Sequence, residues 1–156
     1  MTRLVQLRHV RLNDPEAAPL LAGLRAEYLQ RYGDVDVLAD ATTAEFDAPD
    51  GAFVVLLLDG ETVAGGGLRR LGAHCAEVKR MWTAPLHRRQ GLARTVLVAL
   101  EDVARELSYT RIRLETGPAQ PEAVALYLSL GYQQIPVYGD YELAVAFECE
   151  LPGRQR

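Results

Sequence analysis

The segment Arg88-Arg89-Gln90-Gly91-Leu92-Ala93 constrains this chain more than any other. It lies between a strand-like run, Glu77 to Thr83, and a long amphipathic helical pattern, Leu92 to Leu107. The first amides of such a helix have no intrahelical partner. The helix dipole adds partial positive charge at that end, worth about 0.3–1 kcal/mol to a bound anion. Neighbouring arginines add charge-assisted contacts. Gly91 and Ala93 are small, which leaves the main chain open to a ligand. The arrangement predicts a site for a phosphorylated molecule.

The rest of the chain alternates between strand and helix patterns. Val5 to Arg11 reads as a strand. Asp14-Pro15 then starts a helix whose inner face carries Ala17, Leu20, Leu21, Leu24 and Tyr28, and Gly33 ends it. Asp34 to Asp50 is acidic and weakly patterned, as expected of a loop with a short helix. Phe53 to Leu58 and Thr62 to Arg70 read as strands joined by an Asp59-Gly60 hairpin turn. Gly65-Gly66-Gly67 inside the second strand predicts a bulge or close packing. Ala76 to Thr83 is the next strand. Leu92, Val96, Leu100, Val103 and Leu107 form the stripe of the following helix. Arg111 to Glu115 is a strand, and Gln120-Pro121-Glu122 opens a helix capped at Gly131. Tyr132 to Ile135 and Leu143 to Cys149 complete the pattern.

At 156 residues the chain is long enough for a sizeable core. Residues 1–152 are expected to form one domain, with 153–156 as a short tail. A net charge of −4 argues against non-specific nucleic-acid binding. The longest apolar run, Phe53 to Leu58, is too short to span a bilayer. The N-terminal stretch lacks the apolar segment of a signal peptide. Cys75 and Cys149 form no disulfide framework and no metal-ligand spacing, so no metal is expected and a reducing, cytoplasmic setting is. His9, His74 and His87 show no partner spacing and read as structural or surface residues.

Two motifs together resemble the GNAT superfamily of acyl-CoA-dependent N-acyltransferases. One is that family's pyrophosphate loop, matched by Arg88 to Ala93. The other is its late helix, matched by Gln120-Pro121-Glu122-Ala123-Val124-Ala125-Leu126-Tyr127 and then Gly131-Tyr132. The resemblance covers nearly the whole chain. It implies an α/β (α+β) fold with a mixed, mostly antiparallel central sheet of about six or seven strands. That sheet is splayed between strands 4 and 5 and flanked by about four helices.

The resemblance also implies acetyl-CoA as cosubstrate and roles for particular residues. Arg88, Arg89, Gln90, Gly91, Leu92, Ala93 and Arg94 would hold the pyrophosphate. Met81, Trp82 and Thr83 would offer main-chain groups to the pantetheine arm and the thioester oxygen. Gln120 stands where the family carries Asn, and Pro121 pushes it out of helical geometry. Tyr127 would protonate the departing thiolate, or else only pack its helix. Glu77 would accept the amine proton, with Glu115 as a rival, or else form a salt bridge with Lys79 or Arg80. Tyr28, Tyr32, Glu115, Tyr138 and Tyr141 are candidates to line the acceptor pocket. A direct attack needs no acyl-cysteine, so Cys75 and Cys149 read as inert thiols.

The expected activity is transfer of acetyl from acetyl-CoA to the primary amine of a small molecule. The alternatives are a non-catalytic acyl-CoA sensor, or an acetyltransferase acting on a protein N-terminus or lysine. Family habit allows a homodimer.

Overall fold

The computed structural model describes residues 4–33, 43–117, 120–140 and 142–152; the side chains of Tyr32 and Thr43 are outside the description. Strands β1 (Val5–Val10), β2 (Ala52–Leu58), β3 (Glu61–Arg70), β4 (Cys75–Thr83), β5 (Arg111–Thr116), β6 (Gln133–Ile135) and β7 (Val145–Glu150) form one seven-stranded sheet. Their order is β1-β2-β3-β4-β5-β7-β6. Every neighbouring pair is antiparallel except β4–β5, which is parallel. Among the described residues three α-helices accompany it: α1 (Ala18–Tyr32), α2 (Leu92–Glu106) and α3 (Pro121–Ser129). The parallel pair requires a crossover, and α2 supplies it.

Local chemistry accounts for most boundaries. Asp59 and Gly60 both adopt positive φ, 50° and 86°, as a two-residue hairpin demands. Gly33 closes α1 in the left-handed conformation at φ 69°. The start of α1 differs from expectation. Asp14-Pro15 opens a short 3-10 turn, Pro15–Ala17, and the Asp14 carboxylate accepts from the Arg11 amide at 2.8 Å instead of capping the helix. The α2 stripe is also rotated from the expected one. Val96, Leu97, Leu100 and Ala104 are buried, whereas Leu92, Val103 and Leu107 pack at the margin.

The sheet is covered on both faces. On one, α2 and α3 pack over Val54, Leu56, Ala76, Val78, Ile112 and Leu114. On the other, Ala17, Leu20 and Leu24 lie over Phe53, Val55, Leu57 and Trp82. The Gly65-Gly66-Gly67 run serves both packing and curvature. A Cβ on Gly65 would stand 2.6 Å from the Val54 carbonyl oxygen, one on Gly66 2.5 Å from the Met81 sulfur, and one on Gly67 2.6 Å from the Phe46 ring. The β3–β4 register shifts here, so that Gly65 faces Trp82 but Gly67 faces Lys79. The extra residue lies in β4, where Arg80 takes φ 60°. Such a bulge bends the strand and turns its edge away from its neighbour.

Candidate active site

The bend in β4 opens the site. Strands β4 and β5 pair only through Cys75↔Arg111, Ala76↔Ile112 and Glu77↔Arg113. Beyond Glu77, β4 keeps its β3 partners to Ala64↔Thr83, and β5 keeps its β7 partners to Thr116↔Val145. The edges that face one another across this gap carry no ladder between them. A gap lined by main-chain donors and acceptors suits an extended ligand with amides of its own.

At the far end of β4, Gly91 caps α2 in the left-handed conformation at φ 78°, and Arg89 takes φ 64°. A Cβ on Gly91 would meet nothing within 4 Å. The glycine is needed there for its backbone angle and leaves the helix end open. Arg89, Gln90 and Arg94 are exposed, and Leu92 and Ala93 are half-buried. Arg88 is engaged elsewhere. Its Nε donates to the Thr83 carbonyl oxygen at 3.3 Å and its Nη2 pairs with Glu27 Oε1 at 2.9 Å.

Met81, Trp82 and Thr83 close β4. Trp82 is 8% exposed and packs on α1 so tightly that a Cβ on Gly23 would overlap its indole. It is a wall between sheet and helix. Leu24, Glu27, Tyr28, Arg31, Met81 and Gln120 surround a cavity of ≈ 30 Å³, where α1, β4 and the start of α3 converge. Gln120 has φ −127° and ψ 63°, outside helical geometry, and its Oε1 accepts from Thr116 Oγ1 at 3.0 Å. A wider open depression of ≈ 520 Å³ beside Thr110, Arg111 and Pro152 lies at the opposite end of β5, away from the gap.

Tyr127 is 5% exposed and wedged between Tyr132 and Phe147, with ring centroids 5.9 and 5.6 Å away. Burial, with a smaller contribution from Tyr28, pushes its phenol well above the ordinary value, so it stays protonated. The Tyr28 influence reaches it from α1, on the other side of the sheet.

Glu77 is buried among polar partners. Its side chain is 3% exposed and its Oε1 lies 2.9 Å from both Arg69 Nε and Arg69 Nη2. Lys79 Nζ stands 3.9 Å from the same oxygen. The Tyr138 hydroxyl donates to Oε2 at 2.7 Å. The expected partner Lys79 is therefore secondary, and Arg69, opposite Glu77 across the β3–β4 ladder, is the main one. Glu115 lies in the same cluster. Burial raises its pKa, the Gly139 amide bonds it and opposes the rise, and the Glu77 charge adds to it. Its Oε2 is buried without a hydrogen-bond partner among the described residues. Tyr28 is half-buried beside the small cavity, Tyr141 lies outside the described residues, and so does the Tyr32 side chain.

Burial raises the Cys75 and Cys149 thiols and so disfavours thiolate, in keeping with inert cysteines. Among the described residues no group of three His, Cys, Asp or Glu side chains is placed to hold a metal. None of the described helices is long and apolar enough to cross a membrane.

Known proteins share this architecture. The model of the acetyltransferase (GNAT) family matches residues 19–132. The Escherichia coli N-acetyltransferase YjgM, itself uncharacterised, is 31% identical over 155 residues, covering 93% of this chain and 90% of that protein. An IAA acetyltransferase of Azospirillum brasilense is 35% identical over 95 residues, 60% of this chain and 61% of that one. A solved Klebsiella pneumoniae structure, assigned as an acyl-CoA N-acyltransferase, superposes with a TM-score of 0.78 at 28% identity, covering 95% of this chain and 98% of that one. The fold also matches the PaiA N-acetyltransferase of Thermoplasma acidophilum solved with coenzyme A, at a TM-score of 0.71 and 14% identity, over 94% of this chain and 99% of that one. With its splayed parallel pair and its open helix end beyond the splay, this chain belongs to the GNAT family of acyl-CoA-dependent N-acetyltransferases.

Proposed function

We propose that the protein moves the acetyl group of acetyl-CoA to the primary amine of a small molecule, by direct attack within a ternary complex. The observation that carries this reading is the splay beyond Glu77↔Arg113, which leads toward the open N-terminus of α2. The pantetheine arm has two amides and suits the facing strand edges. The α2 amides from Gly91 onward, with exposed Arg89 and Arg94, suit the pyrophosphate. Arg88, paired with Glu27, would join them only when released from that carboxylate.

Acetyl-CoA supplies an activated thioester and a thiolate leaving group. Glu77 takes a proton from the acceptor ammonium so that the amine can attack. A main-chain amide of Met81 to Thr83 faces the thioester oxygen, where negative charge develops. Tyr127, kept protonated by burial, gives its proton to the departing sulfur. Tyr28 and Tyr138 border the acceptor side. The Azospirillum relative, named as an IAA acetyltransferase, favours a small-molecule acceptor over a protein. The reading implies a single catalytic domain working in the cytoplasm, where acetyl-CoA is at hand.

An acceptor screen tests the proposal. Amino acids, amino-acid amides and polyamines are offered with acetyl-CoA while CoA release is followed. At least one amine should accelerate release and appear as its N-acetyl derivative by mass spectrometry. Tight CoA binding with no amine-dependent release would favour the sensor alternative.

A further inference from the structure

We infer that Tyr138 is the proton relay through which the buried Glu77 carboxylate deprotonates the acceptor amine; the inference rests on the reading of Glu77 as the base. The carboxylate has no open approach of its own. Arg69 occupies Oε1 from β3, Lys79 stands behind it, and the side chain is 3% exposed. The remaining oxygen, Oε2, faces the Tyr138 hydroxyl at 2.7 Å. A proton bound for Glu77 from the cleft therefore arrives through that hydroxyl.

Tyr138 is built into this position. It comes from the connection between β6 and β7, 61 residues along the chain from Glu77. The Arg113 guanidinium lies 5.7 Å from its ring centroid. The next residue, Gly139, bonds Glu115 through its amide, and a Cβ there would overlap the Glu115 carboxylate. Two successive loop residues thus reach the point where the strands part, Tyr138 at the last pair Glu77↔Arg113 and Gly139 at Glu115 beyond it on β5. Tyr138 is half-buried, whereas the carboxylate its hydroxyl contacts is buried, so Tyr138 is the more accessible member of the pair.

The chemistry balances. A phenol has one O–H and two acceptor lone pairs. With its hydrogen on Glu77 Oε2, the Tyr138 oxygen has a lone pair for the acceptor. The ammonium N–H bond breaks and its proton goes to Tyr138 Oη, as the Tyr138 proton moves to Glu77 Oε2. The products are a neutral amine, a phenol and a carboxylic acid. Burial, Glu77, Glu115 and Cys75 all push the Tyr138 pKa upward, so it enters the step as a neutral phenol.

The test uses Tyr138→Phe and Glu77→Gln with the primary amine that turns over fastest in the acceptor screen. Tyr138→Phe keeps the ring against Arg113 and removes only the hydroxyl. Each variant should lose about 100-fold in kcat/KM near pH 7 with CoA affinity unchanged. The loss should shrink as pH passes the amine's own pKa, because the amine then arrives neutral. A proton inventory in mixed light and heavy water should be bowed for the wild type and straight for Tyr138→Phe. A Tyr138→Phe loss equal at every pH, or no loss, overturns the relay. If only Glu77→Gln shows the pH-dependent loss, Glu77 is the base without Tyr138. If neither shows it, the base reading falls as well.

Discussion

Arg88 Nη2 stands 2.9 Å from Glu27 Oε1, which ties the entrance of the basic loop to α1. Glu27 also faces Arg31 at 3.7 Å, and Arg31 reaches Glu122 of α3 at 2.8 Å. One ionic chain thus joins the loop, α1 and α3 around the narrow cavity. The Arg88 and Glu27 side chains are 35% and 26% exposed, so the pair is worth at most about 1 kcal/mol of stability. Glu27→Gln should release Arg88 toward phosphate and tighten CoA binding roughly two- to fivefold, an effect that salt screens. Calorimetric titration with CoA at low and high ionic strength checks both parts; weaker binding would mean that the pair organises the loop.

Two glycines should separate stability from binding. Gly66→Ala places a methyl 2.5 Å from the Met81 sulfur inside the core, and overpacking of this kind costs about 1–3 kcal/mol. Gly91→Ala meets no neighbour but holds φ 78°, which costs an L-residue about 1–2 kcal/mol and closes part of the exposed main chain. Urea denaturation should show the larger loss for Gly66→Ala. CoA titration should show the larger loss for Gly91→Ala.

Tyr127→Phe keeps the ring between Tyr132 and Phe147 and removes the proton donor. Turnover should fall about 10- to 100-fold with CoA affinity nearly unchanged. Single-turnover kinetics decide the matter: an unchanged rate, with chemistry established as the slow step, removes Tyr127 from the mechanism.

Glu101 offers a pH test away from the cleft. Burial raises its pKa, while the Tyr132 hydroxyl, donating at 3.2 Å, and Arg105 oppose the rise. The folded state therefore binds a proton more readily than the unfolded state, whose value is near 4.5. With that sign, the Glu101 contribution to stability grows as pH falls through its folded pKa toward 4.5 and is lost as pH rises. Glu101→Gln keeps an acceptor for Tyr132 and removes the charge. Thermal melts should give it a higher Tm than wild type at pH 7.5 and a flatter pH dependence just above pH 4.5.

Much of this arrangement was legible in the chain. The Asp59-Gly60 turn, the Gly33 stop and the loop before Leu92 rest on local backbone chemistry, which needs few neighbours to act. The triple glycine predicts a bulge or close packing, because a strand interior rarely tolerates three missing side chains; the structure has the close packing at all three glycines and the extra residue of the bulge across the ladder in β4. Glu77 was visible as a candidate, but its partner was not. Arg69 sits opposite it through the β3–β4 register, and a bulge at Arg80 with positive φ has no signature in an arginine codon. The rotation of the α2 stripe toward Leu97 and Ala104 likewise depends on which sheet residues it meets.

By itself the sequence determined the elements, their order and the open helix end at Gly91, because turns, caps and apolar periods act over a few residues. Only the tertiary structure decided how far β4 and β5 part, that Arg88 faces Glu27, and that Tyr138 covers Glu77. Those relationships join residues far apart in the chain, and they depend on strand register and loop placement, which emerge once the sheet is assembled.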